Sequence, residues 1–177
     1  MGSLAMLYLL DANVLMTAHA TYYPVDAVPE FWDFLLHQAQ GGRVKMPLEI
    51  FEEVLDGSDD EERDLLYAWV HEPVHREALL LDEMVNEALV ARVVAEGYAP
   101  DLTDDELEQI GRDPFLIAYG LQAPADRCVV TTETPRPSAR RQNRKVPDVC
   151  DTFGVTWCNT FAMLKALGFS TGWRARA

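Results

Sequence analysis

The feature of this sequence that most constrains its fold is an apolar run, Leu4–Leu10, which ends abruptly at Asp11. A continuous apolar run of this length, without alternating polar residues, predicts a strand that is buried on both faces. Such strands are typical of parallel sheets covered by helices. A carboxylate removed from water at the end of such a strand costs free energy unless something pairs with it. The position of Asp11 therefore points to a function rather than to packing.

The rest of the chain alternates between strand and helix patterns. Apolar residues at helical spacing, with proline or a capping residue before them and glycine after them, are the signal for a helix. We predict helices over Val28–Gly42, Pro47–Gly57, Leu79–Gly97, Asp113–Ala123 and Thr160–Leu167, the last capped by Asn159. Capping boxes at Ser58–Glu61 and Thr103–Glu106 begin two more. Short strands are predicted over Arg43–Met46, Cys128–Glu133 and Val155–Trp157. This alternation indicates an α/β fold with a central, mainly parallel sheet.

The length of 177 residues is that of one domain with a sizeable core. We expect the domain to span residues 4–169, with residues 1–3 as a cloning remnant and residues 170–177 as a C-terminal tail. The three cysteines, Cys128, Cys150 and Cys158, lie among apolar neighbours and show no zinc spacing. Reduced, buried thiols are expected, which is consistent with a cytoplasmic protein. No apolar run is long enough to span a bilayer.

The charge of the chain is distributed unevenly. The formal net charge is −14, which by itself predicts no general attraction to nucleic acid or to anionic membranes. One loop departs from this balance, because it carries basic residues and no acid between Thr134 and Lys145. Its basic residues are Arg136, Arg140, Arg141, Arg144 and Lys145. Loops of this composition are often merely solvated, but arginine forks also suit phosphate, so this loop is a candidate site for an RNA backbone.

Five acidic residues stand at predicted strand ends or on adjacent helices: Asp11, Glu53, Asp113, Glu133 and Asp148. In a parallel sheet, the carboxyl ends of the strands meet at one edge, where ligand sites form. Like charges that converge there raise each other's pKa and weaken the fold unless a cation neutralises them. Carboxylates suit the hard cations Mg²⁺ and Mn²⁺. The pattern therefore predicts a site for one or two such ions.

Each acid also has an ordinary structural explanation. For Asp11 this explanation is a turn that ends the strand, and for Asp113 it is the cap of the helix that Pro114 begins. Glu53 has Glu52 beside it, and either could be a solvated helix residue. Glu133 and Asp148 could both be surface residues, and Asp151 is expected to be solvated. These alternatives stay open on the sequence alone.

Four segments in order, "YLLDANVL", "MPLEIFEEVLDG", "GRDPFLIAYGL" and "CVVTTE", resemble the four signatures of PIN-domain ribonucleases. The similarity is closest to VapC-like toxins, and "RRQNRKVPDVCDTFGV" is similar to an uncharacterised PIN-like branch of that group. The resemblance covers residues 4–169 and implies a three-layer α/β/α sandwich. Each motif is weak alone, and the ordered set is the specific signal.

The resemblance assigns roles position by position. Asp11 matches the first metal-binding acid, and Asn13 matches the polar residue that holds its loop. Glu53 matches the helix glutamate, because an aliphatic residue follows it and a glycine lies four residues on; Glu52 is the competitor. Asp113 matches the third acid.

The fourth signature departs from the family pattern. Thr131 and Glu133 match its Thr-x-Asp, with glutamate in place of the usual residue. The acid expected a few residues later is missing, and Asp148 is the candidate to replace it. The implied catalytic set is Asp11, Glu53, Asp113 and Asp148. The implied metal ligands are Asp11, Glu53 and Asp113, with either Glu133 or Asp148 as the fourth.

The function implied by the resemblance is a metal-dependent endoribonuclease that hydrolyses RNA phosphodiester bonds, acting as the toxin of a toxin–antitoxin pair. Bound Mg²⁺ or Mn²⁺ would lower the pKa of the attacking water and stabilise the developing charge. The implied partners are an RNA substrate, an antitoxin protein that blocks the site, and a second copy of the chain in a homodimer. No membrane partner is expected.

Two other classes of protein share part of this sequence pattern. Phosphatases of the haloacid dehalogenase class also place an acid after the first strand, but they need a second aspartate two residues later, where this chain has Asn13. A catalytically silent PIN-like module that binds RNA or protein would keep the fold and the basic loop without holding a metal.

Overall fold

The computed structural model describes residues 5–57 and 61–177. Its sheet has four parallel strands in the order β2-β1-β3-β4. They are β1 (Leu7–Leu10), β2 (Val44–Lys45), β3 (Arg127–Val130) and β4 (Thr156–Cys158). In β1, Tyr8 lies opposite Val44 on one side and Cys128 on the other. The predicted α/β fold with a parallel central sheet is confirmed.

Ten α-helices are present in the described residues. They are α1 (Ala12–Thr17), α2 (Pro29–Gln40), α3 (Leu48–Asp56), α4 (Glu61–His71), α5 (Pro73–Leu79), α6 (Glu87–Arg92), α7 (Asp104–Ile110), α8 (Asp113–Gln122), α9 (Val146–Phe153) and α10 (Thr160–Leu167). The first and sixth continue as π-helical turns, Ala18–Tyr22 and Val93–Tyr98. None of these described helices combines the length and apolarity needed to cross a bilayer.

The central strand is buried on both faces, as its apolar run predicts. Leu9 and Leu10 point to opposite faces of the sheet, and both have no exposed surface. Helices therefore cover both faces, as in a three-layer sandwich. Large side chains such as Phe31, Phe51 and Leu116 fill the core between these layers.

Most predicted helix signals are confirmed. Thr103 and Glu106 form a complete capping box at α7, and Asn159 caps α10 by accepting a hydrogen bond from the Ala162 backbone N–H. The predicted capping box at Ser58–Glu61 includes residues outside the described range. Gly57 follows the last residue of α3, as predicted.

The continuous helix predicted over Leu79–Gly97 is wrong. The segment from Leu80 to Asn86 is not helical, and α6 begins only at Glu87, with Asn86 as its cap. The Leu81 backbone N–H donates to the Met46 carbonyl, and the Met46 N–H donates to the Leu79 carbonyl. Pairing with the end of β2 thus competes successfully with the helical pattern.

The segment after residue 169, expected to be a tail, packs on α2. Trp173 is buried, and its Nε1 donates a hydrogen bond to the Glu30 carbonyl. Its ring meets Phe34 edge to face. This contact ties the end of the described chain to the helical layer.

Candidate functional site

The carboxylate of Asp11 lies at the carboxyl end of β1 and is only 4% exposed. Its Oδ2 accepts hydrogen bonds from Thr131 Oγ1 at 2.8 Å and from Asn13 Nδ2 at 3.0 Å. Asn13 Oδ1 accepts from the Thr132 backbone N–H, so Asn13 also joins the ends of β1 and β3. The two partners of Asp11 are neutral donors, and they fix the orientation of its carboxylate without neutralising its charge.

Asp113 is the first residue of α8, next to Asp11 in the tertiary structure. The N-cap position of this helix is occupied by Arg112 rather than by Asp113. The pKa of Asp113 is raised well above its usual value, chiefly by burial and then by the charges of Asp11, Glu133 and Glu53, while Lys145 lowers it. The acid predicted from the third signature therefore faces the other acids of the site.

Glu53 and Glu52 differ clearly in environment. Glu52 is exposed on α3, whereas Glu53 is half-buried and its Oε2 is enclosed. Burial is the main cause that raises the pKa of Glu53; Asp56 and Glu133 also raise it, and Arg112 lowers it. The structure thus brings Glu53, and not its neighbour, towards the other acids of the site.

Glu133 and Asp148, the alternatives for the fourth acid, also have separate positions. Glu133 Oε2 accepts a hydrogen bond from the Val146 N–H at 2.7 Å, at the first residue of α9. Its charge raises the pKa of Asp11, Glu53 and Asp113. Asp148 is buried, and its Oδ2 accepts from the Arg136 backbone N–H at 2.7 Å. Glu133 therefore lies with the other three acids. Asp148 instead anchors the basic loop through its hydrogen bond to the Arg136 backbone.

We call Asp11, Glu53, Asp113 and Glu133 the acid cluster. The pKa of Asp11 is raised to about 7, mainly by burial. The hydrogen bond from Thr131 lowers this pKa, and the charges of Glu133 and Glu53 raise it further. The acids come from four places in the chain: the end of β1, α3, the start of α8 and the segment after β3.

Two residues beside the acid cluster, Tyr98 and Arg112, were not predicted from the sequence. The hydroxyl of Tyr98 is buried, and its pKa is raised by burial and then by Asp113 and Glu133. Arg112 donates to the Glu49 carbonyl and forms an ion pair with Asp56 at 2.8 Å, which links α8 to α3. Arg112 adjoins Asp113 in the sequence, which is a weak signal, but nothing in the sequence around Tyr98 indicates its position.

The donor set of the acid cluster fits a hard divalent cation by its chemistry. All candidate ligand atoms are carboxylate oxygens, which Mg²⁺ and Mn²⁺ prefer. In the part of the chain that the structure describes, three buried side-chain oxygens have no hydrogen-bond partner: Glu49 Oε2, Glu53 Oε2 and the Tyr98 hydroxyl. Within residues 5–57 and 61–177, however, no three His, Cys, Asp or Glu side chains are already arranged to hold an ion. The acids share an environment but do not yet form a coordination sphere.

The predicted RNA-binding loop divides into two groups of cations. Arg141 forms ion pairs with Asp101 and Glu106, and its hydrogen bonds hold the pKa of Glu106 down at about 2. Arg144 donates to the Gly97 carbonyl and to Thr152 Oγ1. Both arginines therefore fasten the loop to the rest of the protein.

The other three cations are differently placed. Among the described residues, the guanidinium groups of Arg136 and Arg140 have no hydrogen-bond or ion-pair partner, and both side chains are exposed. The charge of Lys145 lowers the pKa of Asp113, so this residue lies between the loop and the acid cluster.

A family model described as "Domain of unknown function (DUF4411)" matches residues 8–171. The match covers most of the 177 residues, so the chain belongs to the DUF4411 family. No curated protein and no solved structure matches the chain. The indications of a function therefore lie in the site itself.

Proposed function

We propose that this member of the DUF4411 family is a metal-dependent endoribonuclease that hydrolyses RNA phosphodiester bonds at the acid cluster. The observation that carries the proposal is the convergence of four carboxylates, in which the charge of Glu133 raises the pKa of Asp11, Glu53 and Asp113. Buried carboxylates that lie close together need a bound cation or a proton to balance their charge. Strongly perturbed carboxyl groups at the carboxyl edge of a parallel sheet are the usual mark of a functional site there.

Asp11, Glu53, Asp113 and Glu133 are the residues that would hold Mg²⁺ or Mn²⁺. When bound, such a cation lowers the pKa of water and stabilises the charge that develops on the phosphate. The chain contributes orientation. Thr131 and Asn13 fix the Asp11 carboxylate, and the Val146 N–H at the start of α9 fixes Glu133. Preorganised carboxylates lose little entropy when they take up a ligand.

In this proposal, the cationic side chains of the loop that have no internal acidic partner bind the RNA backbone. Arg136 and Arg140 can each offer forked donors to a phosphate, because no internal acid engages them in the described chain. Lys145 lies nearer to Asp113 and would contact the phosphate beside the acids. An acidic protein needs such a local positive surface to bind a polyanion.

A catalytically silent binding module is the second candidate, and one observation favours it. No group of acids in the described residues is already arranged to hold an ion. Calorimetric titration with Mn²⁺ separates the two functions. Binding that Asp11→Asn removes supports the nuclease, whereas the silent module takes up no metal at this site. The antitoxin partner, the homodimer and the cytoplasmic location stay predictions.

The nuclease proposal predicts that the purified protein fragments mixed cellular RNA when Mg²⁺ or Mn²⁺ is present and leaves it intact in EDTA. The physical reason is that the acid cluster by itself repels the phosphate, so cleavage needs the cation. Gel electrophoresis of the RNA over time measures the result. Fragmentation that continues undiminished in EDTA, or none with either metal, contradicts the proposal.

A second prediction concerns the loop. The double variant Arg136→Glu/Arg140→Glu should bind single-stranded RNA at least about tenfold more weakly and show a shallower salt dependence, because each phosphate contact contributes about 0.7 to the slope of log K against log salt. Arg141 and Arg144 are left intact because they fasten the loop. Fluorescence anisotropy at several salt concentrations measures both quantities.

The matched control for this variant is Arg174→Glu/Arg176→Glu, which makes the same charge change in the last helical turn of the chain. It should have little effect on the salt slope. Equal losses in the two double variants would mean that RNA responds only to net charge, and the loop would then have no specific part in binding.

A further inference from the structure

A second feature opens at the same edge of the sheet, a cavity of about 220 Å³ beside the acid cluster. Thr132 forms part of its wall, and the Thr132 N–H donates to Asn13 Oδ1 at 3.0 Å. Asn13 in turn donates to Asp11. The Asn13 side chain thus links the cavity wall to the central acid by two hydrogen bonds.

Two exposed aromatic rings line the mouth of this cavity. Tyr22 is 60% exposed at the end of the π-helical turn after α1, and Phe161 is 48% exposed in the first turn of α10. Their rings meet edge to face with centroids 5.1 Å apart. Two large rings that remain this exposed could merely shield each other, but here they stand over a cavity that no side chain of the described residues fills.

The chemistry of the lining is selective. Val14 and Ala18 supply apolar surface, and the hydroxyl of Thr132 and the amide of Asn159 supply polar groups. Asn159 Oδ1 is used in capping α10, which leaves its NH₂ group as a donor. None of the described residues that line the cavity carries a charged side chain, so the cavity does not suit a phosphate or a metal ion. It suits a neutral, flat ligand with polar edges.

The volume of the cavity further limits which ligands can bind there. Sites for drug-sized molecules begin at about 300 Å³, and this cavity is smaller. One aromatic ring system fits such a volume, whereas a whole nucleotide does not. Single-stranded RNA offers suitable groups in its unstacked bases, which proteins commonly bind on aromatic side chains.

We propose that the cavity lined by Tyr22 and Phe161 binds one unstacked nucleobase of single-stranded RNA, next to the phosphate at the acid cluster. The identity of the substrate rests on the proposed function; the preference for a flat neutral ring rests on the cavity itself. A base held here positions the adjoining phosphodiester over Asp11 and excludes duplex RNA, whose bases are paired and stacked. The cavity is thus the determinant of single-strand specificity.

Nucleotide binding tests this proposal without any cleavage. Adenosine 5′-monophosphate and ribose 5-phosphate are the probes, in EDTA, with saturation-transfer NMR as the readout. We expect saturation to reach the base protons of the nucleotide more than its ribose protons, and ribose 5-phosphate to give little signal. Tyr22→Ala and Phe161→Ala should each weaken nucleotide binding about tenfold, as the loss of one base-stacking ring does.

The control variant is Tyr67→Ala, since Tyr67 is another exposed ring, on α4, that stacks on His71 away from this lining. It should bind the nucleotide like the wild type. Thermal melting of all three variants establishes that they are folded. Nucleotide binding that is equal in wild type, Tyr22→Ala and Phe161→Ala overturns the proposal and leaves the two rings to a protein partner.

RNA binding separates this inference from the proposed function. In an Asp11→Asn background, a single-stranded oligonucleotide should bind about tenfold more weakly when Tyr22 or Phe161 is replaced by alanine, by fluorescence anisotropy. Base-dependent nucleotide binding without any RNA cleavage by the wild type would refute the nuclease and support the base site. RNA cleavage with oligonucleotide binding indifferent to both rings would refute the base site alone.

Discussion

Replacing Asp11 by asparagine is expected to reduce metal-dependent RNA cleavage by more than about a hundredfold while the protein stays folded. Loss of even an outer hydrogen-bond partner of a metal ligand costs about 10- to 100-fold in affinity or activity, and Asp11 is the central acid of the cluster. Asparagine keeps the size and one acceptor oxygen, so Thr131 retains a partner. Initial cleavage rates on one RNA oligonucleotide with Mn²⁺ measure the loss.

The matched control for Asp11→Asn is Asp26→Asn, the same change at an exposed residue before α2. It should cleave like the wild type. Thermal melting distinguishes a lost metal site from a lost fold, since Asp11→Asn should melt no lower than the wild type in EDTA. A folded, rigorously purified Asp11→Asn protein that cleaves at the wild-type rate would remove the nuclease from this site.

The second large effect is expected from Asp113→Asn, on stability rather than on rate. In EDTA at pH 7 the variant should be more stable than the wild type by about 1–2 kcal/mol. Two carboxylates about 5 Å apart repel by roughly 3 kcal/mol at an effective dielectric near 20, and protonation and relaxation reduce that figure. Added Mn²⁺ should stabilise the wild type and should largely fail to stabilise the variant.

The pH dependence of this difference follows from the raised pKa values of Asp113 and Asp11, the latter about 7. An acid whose pKa is higher in the folded state binds more protons when folded. Its contribution to stability is therefore fully present below the unfolded pKa, near 4, and is lost as the pH rises through the folded value. From pH 5 to 7 the metal-free wild type should therefore lose stability relative to Asp113→Asn.

Denaturant unfolding of both proteins at pH 5, 6 and 7, with EDTA and with Mn²⁺, measures these quantities. The matched control is Asp104→Asn, because Asp104 is also the first residue of its helix, α7, but is exposed. The two substitutions remove the same interaction with a helix N-terminus. Equal stabilisation of wild type and Asp113→Asn by Mn²⁺ would exclude Asp113 from the metal site.

The sequence alone was enough to predict the layout of the protein. The apolar run that becomes β1 can be buried on both faces only in a sheet covered by helices, and the end of that strand necessarily carries Asp11 to the edge where parallel strands finish. Local signals also determined α7 and α10, because the cap and its backbone donors lie within three residues of each other. These are features of short range, set by neighbours in the chain.

Only the tertiary structure decided which chemically equivalent residues share the site. Glu52 and Glu53 differ by one position, and in the packed protein, where α3 contacts α8, Glu53 is half-buried and Glu52 is exposed. Glu133 joins the acid cluster because the segment after β3 passes the start of α9, while Asp148 is turned to the loop. Which loop arginines are free likewise depends on acids 35 to 40 residues away.

The same reason explains what the sequence did not predict. Tyr98 lies near the acid cluster, and Leu80–Asn86 stays out of a helix, because of contacts with distant parts of the chain that no local pattern encodes. Helical periodicity between residues 79 and 97 competes with backbone pairing to Met46, and that partner lies more than thirty residues earlier. Local chemistry thus determines where acids and caps can stand, and long-range packing determines which of them meet.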